Sequence, residues 1–558
     1  MRRATLLITL AAVLAGAVPA AAANAIQTEN AKPGTDAWDV QPADPPPIEG
    51  YASQPSSAPG ERIDLHVRAP EGSSYRVELY RLGWYGGLGG RLIACSPACD
   101  AGKPAVAQPA TGAPDAKTGL LDAGWKTTDS FRVGGDWVSG YYQAVLRITA
   151  GPSAGGVGRV PVIVREGARR RAEILLQAPV NAWQAYNRWG GRSLYESIDP
   201  AGKPAVKVSF DRPLAEDHAL RPTRPWTHEL QTMRWLERQG YDVAYSTDVD
   251  TDRHPAELLR HRIAFVSGHD EYWSGAMRAG WDRAQARGTN IAVIGANVGY
   301  WQIRYEHGDR TIVEYRTRQA DPVKDGRRRT VQFRALRPRH PECLLFGVQY
   351  EYYAQRTGDD PPTPYNVVAP PGDPWLAGTG LATGDVLPGL VGYEWDGYDG
   401  KCTPGTTTSL LHDAPGGPDG RPHNADLARS VARSSGARVF ASGSLQLAWG
   451  LDSYGGHTPD ARVQGIVANA LADLGRPAAP ARLHAARAGG GRVRLSWSIG
   501  GRDPRVKRVV VSRGGRRVCA SGSGSCVDSH APRGAVRYAA VAVDAWGTSV
   551  PRASNRLR

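Results

Sequence analysis

Ile263-Ala264-Phe265-Val266-Ser267-Gly268-His269-Asp270-Glu271-Tyr272-Trp273 changes character halfway along. Its apolar start, rich in β-branched and aromatic residues, reads as a short buried strand. Ser267 and Gly268 end the run, and a tight His-Asp-Glu group follows. Two other runs are built the same way. Ile291-Ala292-Val293-Ile294 passes into Gly295-Ala296-Asn297-Val298-Gly299-Tyr300-Trp301, and Ile174-Leu175-Leu176 is followed by the aromatic and polar stretch Asn181–Gly191. Val243-Ala244-Tyr245 reads as one more strand. Helical spacing fills the gaps: His228–Gln239 with Leu230, Met233 and Leu236, a short turn at Pro255–Arg260, and Ser274–Arg287. Strands alternating with helices predict an α/β domain with a mostly parallel sheet and helices on both faces.

This domain is read over 172–476. Within it, 310–420 mixes strand-like runs with Pro/Gly loops. Asn424–Ser434 reads as a helix, Val439–Ser442 as a strand and Gly465–Leu474 as a final helix. Upstream, 48–166 consists of alternating runs such as Arg62–Val67, Tyr75–Tyr80, Tyr141–Ile148 and Arg159–Val164, punctuated by Gly, which predicts a β-sandwich. Residues 24–47 are polar and Pro-rich and read as a linker or extended lead-in. A second linker at Pro477–Pro480 precedes 481–558, where Val493–Trp497, Val509–Ser512 and Tyr538–Val543 read as short strands. One Trp in an early strand and a late Tyr538-x-x-x-Ala542-Val543-Asp544-x-x-Gly547 stretch make this segment resemble a fibronectin type III-like module, an adhesion or spacing appendage.

The chain begins with Arg2 and Arg3, an uncharged apolar run from Leu6 to Val18, and small residues at Ala21–Ala23. That order predicts a cleaved signal peptide over 1–23 and a secreted protein. A membrane anchor is the alternative, set aside because of the Ala-rich, Pro-rich flanks. No later segment reads as a membrane span. The formal charge is +14, and +12 without Arg2 and Arg3. The basic residues are scattered among acids, and the densest run, Arg169–Arg171, lies at a domain junction without a nucleic-acid-binding motif, so a solvated surface is expected. Six cysteines allow 15 pairings. Export and proximity favour Cys95–Cys99, Cys519–Cys526 and the remaining Cys343–Cys402 as structural disulfides.

Ligands of open parallel sheets bind beyond the carboxyl ends of the strands. The three loops above converge there, and they carry groups able to do chemistry: Tyr186, His269, Glu271 and Asn297. Taken singly, Tyr186 would read as a packed tyrosine and His269 as a satisfied core histidine. Together with Tyr80-Arg81-Leu82-Gly83-Trp84-Tyr85-Gly86-Gly87 and Trp183–Gly191, these loops make about 48–475 resemble the large subunit of N,N-dimethylformamidase through its C-terminal region. The resemblance implies a mononuclear iron, expected as Fe(III), held by two tyrosine phenolates and one glutamate, with no organic cofactor. Carried over by motif, the metal ligands are Tyr142, Tyr186 and Glu271, with Tyr141 the alternative to Tyr142. Hard anionic oxygens suit a hard cation and leave it Lewis-acidic. His269 would orient the site or move a proton. Glu394, in Gly392-Tyr393-Glu394-Trp395-Asp396, matches a second carboxylate near the substrate, and Asn297 is read as an oxyanion donor or as the residue closing a turn.

Asp270 stands where the family motif has Pro, and export is unexpected for breakdown of a formamide inside a cell. The substrate is therefore read only as a small amide or other C–N compound. A small partner subunit, homo-oligomerisation and contact with cell-surface polysaccharide are left open. The competing readings are a non-catalytic extracellular carbohydrate- or cell-wall-binding protein and an amidotransferase-like fold that has lost its site.

Overall fold

A computed structural model describes residues 23–200, 202–215, 226–354, 363–417, 419–499, 505–544 and 547–557. The chain is rich in β-structure, with many sheets, few helices and, among the described residues, no closed barrel. Its largest sheet has nine strands. Five run parallel in the order Val243–Thr247, Ile174–Ala178, Ile263–Gly268, Asn290–Gly295 and Arg438–Ala441. Four antiparallel strands continue it: Ala425–Ala432, Gly405–Asp413, Thr363–Val367 and Val386–Val391. The expected parallel arrangement therefore holds for one half of the sheet only.

The parallel half is buried on both faces, because side chains alternate along each strand. Ile263, Phe265, Ala292 and Ile294 enter one core, and Ala264, Val266, Ile291 and Val293 the other. Helices Glu229–Arg238 and Ala461–Leu474 cover the first face, and Gly275–Ala286 covers the second. Ser274 caps that last helix, accepting a hydrogen bond from the Met277 amide.

The helix expected at Asn424–Ser434 is instead the strand Ala425–Ala432. Its alanines, with Leu427 and Val431 four apart, favour a helix locally. Pairing along the strand with Gly405–Asp413 on one side and Arg438–Ala441 on the other overrides that preference.

Before the large sheet, a three-stranded and a six-stranded sheet share one core, in which Ile63, Leu65 and Phe131 meet Val77, Leu79, Leu146 and Val162. The Pro-rich lead-in is packed rather than free. It contains the capped helix Ala25–Asn30, and Ile26, Glu29 and Trp38 are buried.

Arg81 joins the six-stranded sheet to the helix Glu229–Arg238. Its guanidinium is fully buried and lies 2.8 Å and 3.1 Å from the two Glu237 oxygens. It also donates to the carbonyls of Leu82 and Ser139. Asn30 and Tyr245 complete the Glu237 carboxylate. At Gly83 a Cβ would stand 2.6 Å from a Glu237 oxygen, so a larger residue would push the joint apart. The Tyr80–Gly87 motif is thus a structural clasp.

Among the described residues, two small sheets at the C-terminal end share a core containing Leu495, Trp497, Val509 and Tyr538. No helix there or elsewhere in the described residues is long and apolar enough to cross a membrane. The leader read at 1–23 lies, apart from Ala23, outside those residues.

The three disulfides are Cys95–Cys99, Cys343–Cys402 and Cys519–Cys526, as the spacing predicts. The 59-residue separation of Cys343 and Cys402 constrains the unfolded chain most. Replacing both with Ser should cost about 2–4 kcal/mol in guanidinium unfolding, and removing Cys95–Cys99 should cost less. Equal losses for the two pairs would contradict this loop-length argument.

Candidate active site

Tyr186 is the last residue of the helix Val180–Tyr186, which starts just beyond the strand Ile174–Ala178. The following loop is folded back on this helix by a hydrogen bond from the Leu194 amide to the Ala185 carbonyl. Ser193 Oγ accepts from the amides of Tyr195 and Glu196 and so sets the turn. The result is a stack of Tyr195 on Tyr186, with ring centroids 4.2 Å apart.

Glu271 meets both phenols. Tyr186 Oη lies 2.7 Å from Glu271 Oε2, and Tyr195 Oη lies 2.8 Å from Oε1. The two phenolic oxygens are 2.8 Å apart. Tyr272 adds a third hydroxyl, bonded to that of Tyr195. The Arg316 guanidinium sits 4.0 Å above the Tyr195 ring centre and within hydrogen-bonding distance of Tyr272.

His269 and Glu271 follow directly on the strand Ile263–Gly268, and Asn297 follows on Asn290–Gly295. The two strand ends come very close together. A Cβ at Gly295 would lie 2.2 Å from the Gly268 carbonyl oxygen, so only glycine fits there. Asn297 has a left-handed backbone, with φ 56°, a conformation Asn tolerates better than most residues. Its Nδ2 donates to Glu394 Oε2 at 2.8 Å, while its amide donates to Asp396. It therefore closes the turn and also holds Glu394. One of its two Nδ2 hydrogens is engaged by that carboxylate.

His269 Nε2 lies 2.9 Å from Glu394 Oε2 and 3.6 Å from Glu271 Oε2. Burial alone would lower the His269 pKa, but the Glu394 and Glu271 carboxylates beside it raise it to about 9. Burial, with the charge of Glu271 second, holds the phenols of Tyr186 and Tyr195 far above their ordinary range. Burial also raises Glu271 itself, opposed by His269 and reinforced by Glu394. Asp396 is pushed to about 7 by burial. Acidic groups and phenols thus converge in a buried site, with His269 and Arg316 as the positive groups beside them.

The structure brings Tyr186, His269, Glu271, Asn297 and Glu394 together. Tyr142 is not among them. It faces the core shared by the two N-terminal sheets, stacks on Trp137 and donates to the Val138 carbonyl. Tyr141, on the opposite face of the strand, packs on Trp226 and Tyr245, and its hydroxyl makes no hydrogen bond. Tyr195 and Tyr272 occupy the site instead. Tyr272 directly follows Glu271. The only signal for Tyr195 was its closeness in sequence to Tyr186, because its loop has no periodicity.

A sequence profile described as N,N-dimethylformamidase beta subunit-like, C-terminal, matches residues 76–461. Among solved structures, the chain is similar to a crystal structure of titin domains at 16% identity and TM-score 0.14, covering 15% of this chain and 32% of that one. It is similar to titin kinase with its flanking domains at 15% identity and TM-score 0.14, covering 15% of this chain and 17% of that one. It is also similar to an FMN-binding beta-glucuronidase from Facaelibacterium prausnitzii at 11% identity and TM-score 0.21, covering 92% and 73%. The chain spans only the 32% and 17% just given of the two titin structures, and likeness at these TM-scores carries no argument about function. No curated protein matches the chain.

Proposed function

Because the chain belongs to the N,N-dimethylformamidase beta subunit-like family, we propose that it is an exported, iron-dependent hydrolase of amide C–N bonds, with Tyr186, Tyr195 and Glu271 as the metal ligands. The observation that carries this reading is the triangle of Tyr186 Oη, Tyr195 Oη and Glu271 Oε2, with sides of 2.7, 2.8 and 3.0 Å. Oxygen donors bound to one cation at about 2 Å lie about 3 Å from one another, so the three fit a single ion. In our reading the site belongs to an α/β domain over 172–476, between a β-sandwich at 48–166 and a fibronectin type III-like module at 481–558.

An Fe(III) ion in this triangle would supply Lewis acidity toward an amide carbonyl. The remaining work falls to the side chains around it. Glu394, held by Asn297 and His269, is placed to take a proton from an attacking water. His269 is placed to deliver a proton to the departing nitrogen as the C–N bond breaks. Arg316, above the Tyr195 ring and beside the Tyr272 hydroxyl, positions those phenols. The substrate is a small amide or other C–N compound. This convergence of an acid, a base and hard donors favours hydrolysis over a purely carbohydrate-binding role.

Tyr195→Phe tests the ligand set, because it keeps the ring stack and removes one oxygen. Iron content and amine release from small N-alkyl amides should both fall at least tenfold, the lower bound for loss of a group that supports a metal. Tyr142→Phe should leave both unchanged. The reverse pattern would return the ligand to the strand Gly140–Ala150.

A further inference from the structure

A second cluster of metal-binding side chains lies at the other end of the parallel strands. It comprises Glu166, Glu257 and His261, whose candidate ligand atoms all lie within 4.8 Å of one another. Glu166 follows the strand Val157–Val164, Glu257 sits on the turn Pro255–Arg260, and His261 stands just before the strand Ile263–Gly268.

His261 shows an unmet requirement. It is fully buried, and its Nδ1 lies 2.8 Å from the Ala172 carbonyl oxygen. A carbonyl only accepts, so Nδ1 carries a proton and Nε2 is the ring atom left to face the carboxylates. Nε2 lies 3.3 Å from Glu166 Oε1 and 3.7 Å from Glu257 Oε1. These are loose contacts, and neither Nε2 nor Glu166 Oε1, both buried, meets a well-aligned hydrogen-bond partner. With Nδ1 committed to the carbonyl, Nε2 and the two carboxylate oxygens are favourably joined only by positive charge between them, a proton or a metal ion.

The surroundings resemble those of a metal ligand set. A ligating histidine commonly donates its other ring N–H to a backbone carbonyl, as His261 does. Glu166 Oε2 accepts from the Ala172 amide, and Arg260 donates to Glu257, so both carboxylates are held in orientation. A cavity whose lining includes Glu166 and Glu257, with Arg165, Ser246, Asp250 and His254, borders the two carboxylates and leaves room for water on their side.

We propose that Glu166, Glu257 and His261 form a second metal site, for a divalent ion of the zinc class, with water from the cavity completing its coordination. One imidazole and two carboxylates suit such an ion better than Ca²⁺ or Mg²⁺, which prefer oxygen alone. Bound there, it would tie the chain leaving the N-terminal sheets to the base of the large sheet. The site makes no use of the proposed iron centre and does not depend on it.

The test uses the full-length protein freed of metal with a chelator, then titrated with Zn²⁺. Three proteins are compared: the parent, Glu257→Gln and Glu271→Gln. Glu257 is about one-third exposed, so its substitution should leave folding intact, unlike a change at the buried His261. The parent and Glu271→Gln should each bind Zn²⁺ at this site and melt on the order of a few degrees higher with it. Glu257→Gln should bind at least about tenfold more weakly and lose the shift. Equal Zn²⁺ affinity and equal shifts in the parent and Glu257→Gln would overturn the proposal, as would absence of any shift in the parent.

Discussion

Glu271→Gln should reduce iron affinity more than about 100-fold, beyond the 10–100-fold typical of losing a residue that only supports a ligand. The substitution preserves size and hydrogen-bonding capacity but removes the anionic oxygens on which Tyr186 and Tyr195 converge. Amide hydrolysis should fall with the metal content. The fold should survive, because the helix that starts after Glu271 is capped by Ser274, so no cap is lost. Metal-free parent and variant should therefore melt at similar temperatures. If Glu271 served the structure instead, the result would invert: iron retained and the metal-free protein destabilised. Metal stoichiometry and melting temperature measured on the same preparations separate these outcomes.

Arg81→Met should destabilise the protein by about 3–5 kcal/mol, the usual cost of leaving one member of a buried ion pair without its partner. Glu237 would then rely on Asn30 and Tyr245 alone in a fully buried position. The Leu82 and Ser139 carbonyls would lose their donors as well. Pairing the change with Glu237→Gln should recover much of the loss, because no uncompensated charge then remains. Chemical denaturation of the two single variants and the double variant measures this coupling. Purely additive losses would show that Arg81 and Glu237 do not act as a pair, and that the Tyr80–Gly87 motif is not the clasp described above.

The residues that form strands in the parallel half were readable because burial on both faces demands continuous apolar runs, as at Ile174–Leu176, Ile263–Val266 and Ile291–Ile294. The chemistry at their carboxyl ends was readable for a related reason, since His269, Glu271 and Asn297 follow those runs directly. Glu394 came from the family resemblance alone, and the structure places it beside His269. Tyr195 was not readable, because the loop that carries it is shaped by the Leu194–Ala185 and Ser193 hydrogen bonds and not by any periodic pattern. Tyr142 was misplaced because the side chains of Gly140–Ala150 alternate. The even-numbered tyrosine faces the N-terminal core, and its neighbour Tyr141 faces the large sheet. The strand Ala425–Ala432 was hidden by a local helix preference, which only its two sheet neighbours override.

The central claim is that Tyr186, Tyr195 and Glu271 hold one iron ion. Metal analysis together with the visible absorption spectrum of the purified full-length protein tests it most directly. The account predicts one iron per chain at this centre and a phenolate-to-iron charge-transfer band that disappears in Tyr195→Phe and Glu271→Gln. A colourless, iron-free protein that hydrolyses amides at full rate would contradict it.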